Sequence, residues 1–146
     1  MNLYKSISDW LTDNYSPIIG WLYFNATPMI TGTVAMNSVP GNRVVKKFID
    51  GSMQKELVFA IDMVCNYDNQ GTSDINMNAM DEVNNFADWV DKLSSTDYPD
   101  FGEYNIITKI EVLTNVPSLL VNTEQQLGKY QFQVKIIYID ESEVIK

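Results

Sequence analysis

Two segments of the chain place apolar residues at the spacing of an amphipathic helix. Residues 3–15 have one apolar face and an opposite face of charged and polar residues. Residues 74–93 repeat this pattern, and Thr72 or Ser73 is the predicted N-cap of the second helix. The predicted apolar positions of the two helices are Leu3, Ile7, Trp10, Leu11, Tyr15, Met80, Val83, Phe86, Ala87, Val90 and Leu93.

Other segments alternate apolar and polar residues, or are rich in β-branched and aromatic residues, as strands are. Between two of them stands Asp50-Gly51, a dipeptide that tolerates the positive φ angles of a type I′ turn, and this predicts a long β-hairpin. The predicted strands are residues 20–25, 31–39, 43–49, 53–67, 106–113, 119–121 and 129–139.

The order of these elements is helix, strands, helix, strands. Segregated elements of this kind predict an α+β fold, a largely antiparallel sheet packed with two main helices. The length of 146 residues fits a single domain, which we place at residues 1–139. Residues 140–146 are predicted to be a flexible acidic tail that could become ordered on a partner.

Charge limits the partners of the protein. The chain has 10 Lys and Arg against 19 Asp and Glu, which gives a formal net charge of −9. Nucleic-acid binding through phosphate neutralisation needs a basic face, so a global electrostatic grip on DNA or RNA is not expected. Attraction to anionic lipid is disfavoured for the same reason.

Missing residue types exclude most enzyme chemistry. The chain has no His, so Ser-His-Asp, Cys-His and helical zinc sites cannot be built from it. Its single cysteine, Cys65, cannot form an internal disulfide, and it is predicted to be a small core residue. We therefore predict no enzyme activity and no catalytic, cofactor-binding or metal-binding residues.

Carboxylates remain the only candidates for catalysis, in two clusters. One surrounds Pro99, and the other ends the chain at residues 140–143. Neither cluster has the apolar surroundings that would raise one pKa above the other, so a solvated loop and a solvated tail are expected. Residues 66–71 superficially match a calcium loop but lack its leading Asp and its final Glu, which indicates a polar turn instead.

The chain begins without a cationic region followed by an apolar one, and it has no apolar run of membrane-spanning length. A protein made in a cytoplasm, with no membrane partner, is the expectation. The aromatic run Trp21, Tyr23 and Phe24 leaves two interpretations open. It is either core on both faces of a covered strand or part of a protein interface.

A series of short segments then stands in a distinctive order. They are Trp10-Leu11, Leu22 to Asn25, Lys47 to Ser52, Phe59-Ala60-Ile61, Tyr67-Asp68, Phe86 to Trp89, Tyr98 to Gly102 and Lys129 to Gln133. Their order and spacing resembles a family of small minor capsid or tail-completion proteins of long-tailed phages of Gram-positive bacteria. The resemblance covers residues 3–139, and its most telling pieces are Asp50-Gly51-Ser52, Phe86 to Trp89 and Tyr130-Gln131.

The resemblance implies a tail-terminator-like fold and a homohexameric ring at the head-proximal end of the tail tube. The ring would end tube polymerisation and join the tail to a head-side connector or stopper protein in the virion. Such proteins have no catalytic residues. Six copies would carry about −54 in total, six times −9, so an acidic bore is expected to let DNA pass without binding.

The long hairpin is the first place to look for subunit contacts, because its length exceeds what a small core needs. The predicted interface residues are Phe48, Asp50, Gly51, Met53, Trp21 and Tyr23. Two other functions stay open. One is another neck component, a stopper or head-completion protein, and the other is a non-viral module that binds a small molecule or peptide in an apolar pocket.

Overall fold

Both predicted helices and the predicted strands are present in the computed structural model, which describes residues 2–15, 22–39, 43–71, 74–113 and 117–144. The α+β class is confirmed, with one mixed sheet of seven strands in the described part of the chain. The elements are α1 (Leu3–Asn14), β1 (Tyr23–Phe24), β2 (Val34–Ser38), β3 (Arg43–Lys47), β4 (Met53–Asn66), α2 (Ile75–Asp91), a short 3₁₀ helix (Ser95–Asp97), β5 (Asn105–Val112), β6 (Ser118–Asn122) and β7 (Leu127–Asp140).

The sheet is built around two long strands. β4 and β7 pair antiparallel over 14 residues each, from Met53 opposite Asp140 to Asn66 opposite Leu127. β2 and β3 share the free edge of β4, while β5 and β6 share the free edge of β7. Only β1 runs parallel to its neighbour β2 among the described strands, so the predicted largely antiparallel sheet is confirmed.

The core lies between one face of this sheet and the two helices. The apolar faces of β4 and β7 are buried, as their alternation predicted, and Cys65 is buried among them. Aromatic rings join the layers: Tyr15 stacks on Phe86 at 3.9 Å between ring centroids, and Phe86 meets Phe132 edge-on at 5.5 Å. Since both helices contribute to this one cluster, the fold has two layers.

Among the described residues, the other face of the sheet is covered at one end. There Asp62, 1% exposed, accepts hydrogen bonds from Thr27, Asn37 and Gln131 at 2.5 to 2.7 Å. Thr27 belongs to the loop between β1 and β2, so the buried carboxylate fastens that loop to the sheet. These three donors give both carboxylate oxygens of the buried Asp62 a hydrogen-bond partner.

Two predicted details are wrong. The hairpin turn is not type I′, because only Gly51 has a positive φ, of 95°, while a type I′ turn needs two such residues. Phe48 N–H donates to the Ser52 carbonyl and Gly51 N–H to the Phe48 carbonyl, the pattern of a three-residue loop closed by a glycine bulge. The N-cap of α2 is Asp74, without a side-chain cap, and the predicted caps Thr72 and Ser73 lie outside the described residues.

The boundary predicted at residues 139 and 140 falls inside β7. Asp140 is the last residue of β7 and is buried, and Glu141 N–H donates to the Tyr104 carbonyl at 2.7 Å. A turn follows, closed by Val144 N–H on the Glu141 carbonyl at 3.1 Å. The segment to residue 144 is therefore part of the folded domain, and residues 145 and 146 lie outside the described residues.

Candidate interaction surface

The turn of the β3–β4 hairpin is fixed by its own polar groups. The Asp50 carboxylate accepts from the Ser52 backbone at 2.9 Å and from the Ser52 hydroxyl at 2.7 Å. These bonds favour the ionised carboxylate, the hydroxyl most, and they hold the pKa of Asp50 below its usual value. The turn is therefore a defined loop, and it fixes the direction of the residues beside it.

Apolar side chains are exposed on this hairpin. Ile49 is fully exposed at 102%, and Val44, Val45 and Phe48 are between 37% and 48% exposed. A register shift between Val44 and Lys46 marks a β-bulge, which places Val45 outside the regular ladder. We call Val44 to Ile49 the hairpin surface. Clustered apolar residues at a strand edge are typical of protein contacts.

The base of the hairpin is held by the end of β7. Lys55 Nζ lies 2.7 Å from Asp140 Oδ2, while Asp140 Oδ1 accepts from the Ser142 backbone at 2.9 Å and from the Ser142 hydroxyl at 2.6 Å. A Cβ at Gly51 would lie 2.2 Å from the carbonyl oxygen of Glu143. The turn after β7 therefore packs directly on the hairpin turn, and only glycine fits between them.

The residues predicted for an interface have different surroundings. Phe48 is exposed, and Asp50 is exposed but already bonded to Ser52. Gly51 lies under the turn after β7, and Met53 pairs between Lys47 and Asp140, half-buried in the sheet. Of this set, Phe48 has the accessibility of an interface residue together with an apolar side chain.

The two aromatic positions of the same prediction lie elsewhere. Tyr23 is half-buried in β1, whose neighbour β2 pairs with β4 around Asp62, whereas β3 pairs with the Met53 end of β4. Trp21 lies outside the described residues. The structure therefore does not bring Tyr23 together with the hairpin surface.

Sequence reasoning missed the most exposed residue, Ile49. The available signal was its position directly before Asp50-Gly51, because an apolar residue inside a turn cannot reach the core of its own hairpin. Val44 and Val45 were missed since they read as ordinary strand residues. Their exposure follows from the edge position of β3, which pairs with β4 alone among the described strands.

Charge is unevenly distributed between the two layers. α1 and α2 together carry six acidic residues and one basic residue, whereas the strands carry seven basic residues and four acidic ones. The helix residues are Asp9, Asp13, Asp81, Glu82, Asp88, Asp91 and Lys5, and the strand residues are Arg43, Lys46, Lys47, Lys55, Lys109, Lys129, Lys135, Glu56, Asp62, Glu111 and Asp140. The excess of acid thus belongs to the helices and loops.

On the uncovered part of the sheet the strand charges pair with one another. Lys135 lies between Glu111 at 3.2 Å and Glu56 at 3.6 Å, and Glu111 also meets Lys109 at 3.0 Å. Hydrogen bonding to Glu111 raises the pKa of Lys135, and hydrogen bonds from Lys109 and Lys135 lower the pKa of Glu111. This ladder crosses three strands and leaves no net charge.

The carboxylates near Pro99 act as turn caps. Asp97 accepts from the backbone and hydroxyl of Ser94 in a capping box, and Asp100 accepts from Gly102 N–H at 2.8 Å. The described residues contain no group of three side chains of the kind that could hold a metal ion. The segment at 66–71 is a turn, in which Asp68 Oδ1 accepts from Gln70 N–H at 2.9 Å.

One cleft of about 530 Å³ lies between α2 and the ends of β2 and β4. Its lining includes Cys65, whose thiol lies 3.9 Å from a Glu82 carboxylate oxygen. Burial, and then the charge of Glu82, raises the pKa of Cys65 to about 11, so the thiol is protonated at neutral pH. The cleft therefore offers a polar and apolar lining but no activated nucleophile at Cys65.

Comparison with known proteins adds no family. Neither the models of protein families nor the sequences of curated proteins match this chain. Within the described residues, neither helix combines the length and the apolar character that crossing a membrane requires.

Proposed function

We propose that the protein is a structural component of a phage virion, a tail-terminator-like protein that works through protein contacts and not through catalysis. In this proposal, six copies form a ring at the head-proximal end of the tail tube. The ring ends polymerisation of the tube and presents a surface to the head-side connector or stopper protein. DNA passes through it without specific binding.

The hairpin surface is the observation that carries this proposal. It overlaps Lys47 to Ser52, one of the segments of the resemblance, and it combines exposed apolar side chains with an adjoining turn that is held by hydrogen bonds between Asp50 and Ser52. A protein that assembles needs such a surface, whereas a monomeric module would normally bury it or replace it with charge.

Solution mass by light scattering over a range of concentrations, with negative-stain imaging of the same samples, tests the ring. A species near 100 kDa, six times 16.7 kDa, seen as a small ring is the expected result. Ile49→Ser should lower the assembled fraction. The matched control Ile30→Ser, at a turn residue that is 63% exposed, should leave it unchanged.

Binding to partners separates the ring from its alternatives. A tail terminator binds purified tails, whereas a stopper or head-completion protein binds filled heads. A protein that stays monomeric and binds neither particle would overturn the virion proposal. The cleft beside α2 would then be the place to test for a small ligand.

A further inference from the structure

The hairpin surface and the exposed side of α2 lie far apart on the molecule. β4 joins them: the hairpin turn precedes Met53, and the first half of α2 contacts the other end of the strand, where Glu82 meets Cys65. Thirteen residue steps at roughly 3.3 Å each separate the ends of β4 by about 43 Å. The Glu82 region of α2 and the hairpin turn therefore lie near opposite ends of β4, too far apart for one copy of the chain to bring them together.

The hairpin surface is apolar and cationic. Lys46 Nζ lies 5.2 Å from the centroid of the Phe48 ring, so the ammonium group is directly beside one of the exposed apolar residues. Lys46 and Lys47 are exposed, and neither forms an ion pair with another described residue. The two ammonium groups thus have no ion-pair partner within the described part of the chain, although the Asp50 carboxylate stands in the adjoining turn.

The exposed side of α2 has the complementary character. Met77, Asp81, Asn84 and Asp88 follow one another at intervals of three or four residues, so they share one face of the helix. All four are exposed, Met77 at 63%, and the described residues provide no ion pair for Asp81 or Asp88. We call these four residues the acidic face of α2.

We propose that the hairpin surface of one copy docks on the acidic face of α2 of a second copy. Contact between two hairpin surfaces would bring like charges together, and so would contact between two acidic faces. Head-to-tail contact instead pairs Lys46 and Lys47 with Asp81 and Asp88, and it gives Ile49 and Met77 an apolar partner. This inference deepens the proposed function and rests on it for the closure of such a heterologous contact into a ring.

Charge reversal on the two surfaces tests the contact. Lys46→Glu and Asp81→Lys are each expected to weaken self-association by about tenfold or more, measured by sedimentation at low salt. Mixing the two variants should restore assembly, because each then offers the surface that the other lacks. The double variant in one chain should also recover association on its own.

Two variants on α1 control for net charge. Lys5→Glu changes the charge as Lys46→Glu does, and Asp13→Lys changes it as Asp81→Lys does. Both residues are exposed, and each new charge suits its end of the helix dipole. Lys5→Glu also removes the exposed 3.0 Å ion pair with Asp9, which lies within α1 and outside both surfaces. These controls should associate as the unmodified chain does, and mixing them should have no effect.

The outcomes separate this contact from the proposed function. A chain that remains monomeric at millimolar concentration, or variants that do not rescue each other, would overturn the contact even if tails still bound the protein. Rescue between variants without tail binding would uphold the contact and overturn the tail-terminator function. Rescue together with tail binding supports both.

Discussion

Asp140 joins the last strand to the hairpin that carries the candidate surface, so its replacement tests how that surface is held. Lys55 donates to one oxygen of its carboxylate, and Ser142 donates twice to the other. These bonds, the one from Lys55 most, lower the pKa of Asp140 from its ordinary value of 3.8 to about 2. Asp140→Asn keeps the size of the side chain and removes the charge.

The shift in pKa sets the expected magnitude. Nearly two pKa units at roughly 1.36 kcal/mol each correspond to about 2 kcal/mol of stability. Because the pKa is lower in the folded state, this contribution is complete above pH 4, declines as the pH falls and is lost near pH 2. We therefore expect Asp140→Asn to lower the free energy of unfolding by about 1–2 kcal/mol at pH 7.

Urea denaturation followed by circular dichroism, repeated from pH 7 to pH 2, measures this difference. The difference in the free energy of unfolding between the original chain and Asp140→Asn should become small near pH 2. Asp13→Asn, an exposed position on α1, should change stability by less than about 0.5 kcal/mol at every pH. A gap of constant size down to pH 2 would show that the ionised carboxylate is not the source of the stability.

Three further predictions concern single residues elsewhere in the fold. Gly51→Ala should cost at least about 1 kcal/mol in unfolding free energy, because it strains a positive φ and pushes against Glu143; an unchanged urea midpoint would contradict the packing of the two turns. Asp62→Ala should cost about 1–3 kcal/mol in the same assay, since the donors fastening the Thr27 loop lose their acceptor. Cys65 should resist alkylation at pH 8 in the folded protein and react rapidly in urea, and fast labelling without denaturant would show that the thiol is accessible.

Much of the architecture could be read from periodicity. The alternation in β7 fixes which side chains face the helices, because a strand with one apolar face has only one stable orientation. The apolar stripe that contains Val83, Phe86 and Val90 likewise predicts which face of α2 packs on the sheet, and these residues are fully buried. The local sequence pattern predicted an element wherever burial of one face imposes a regular spacing of apolar residues.

Features that depend on contacts distant in sequence could not be read in this way. Residues 140–144 looked like a tail because they are acidic and terminal, yet Lys55, 85 positions away, holds Asp140 in the sheet. The requirement for glycine at position 51 also comes from a distant residue. A side chain there would collide with the backbone of Glu143, a contact that the sequence of the hairpin turn does not reveal. Asp62 stood at an apparently polar strand end, and only the loop that covers it explains its burial.

The layout of charge links the docking contact to the expected acidic bore. If the acidic face of α2 is used between subunits, Asp81 and Asp88 cannot also line the passage for DNA. Of the other acids on the helices, Asp9 pairs with Lys5, Asp91 accepts from the Val112 N–H, and Glu82 lines the cleft beside α2. This leaves Asp13 on α1 and the acids of the loop around Pro99, which Trp10 ties to α1 through a 2.7 Å hydrogen bond to the Asp97 carbonyl. A ring built by the proposed contact should therefore turn α1 and this loop toward its centre. A ring structure with the strand lysines lining the bore would refute the acidic bore while leaving the docking contact intact.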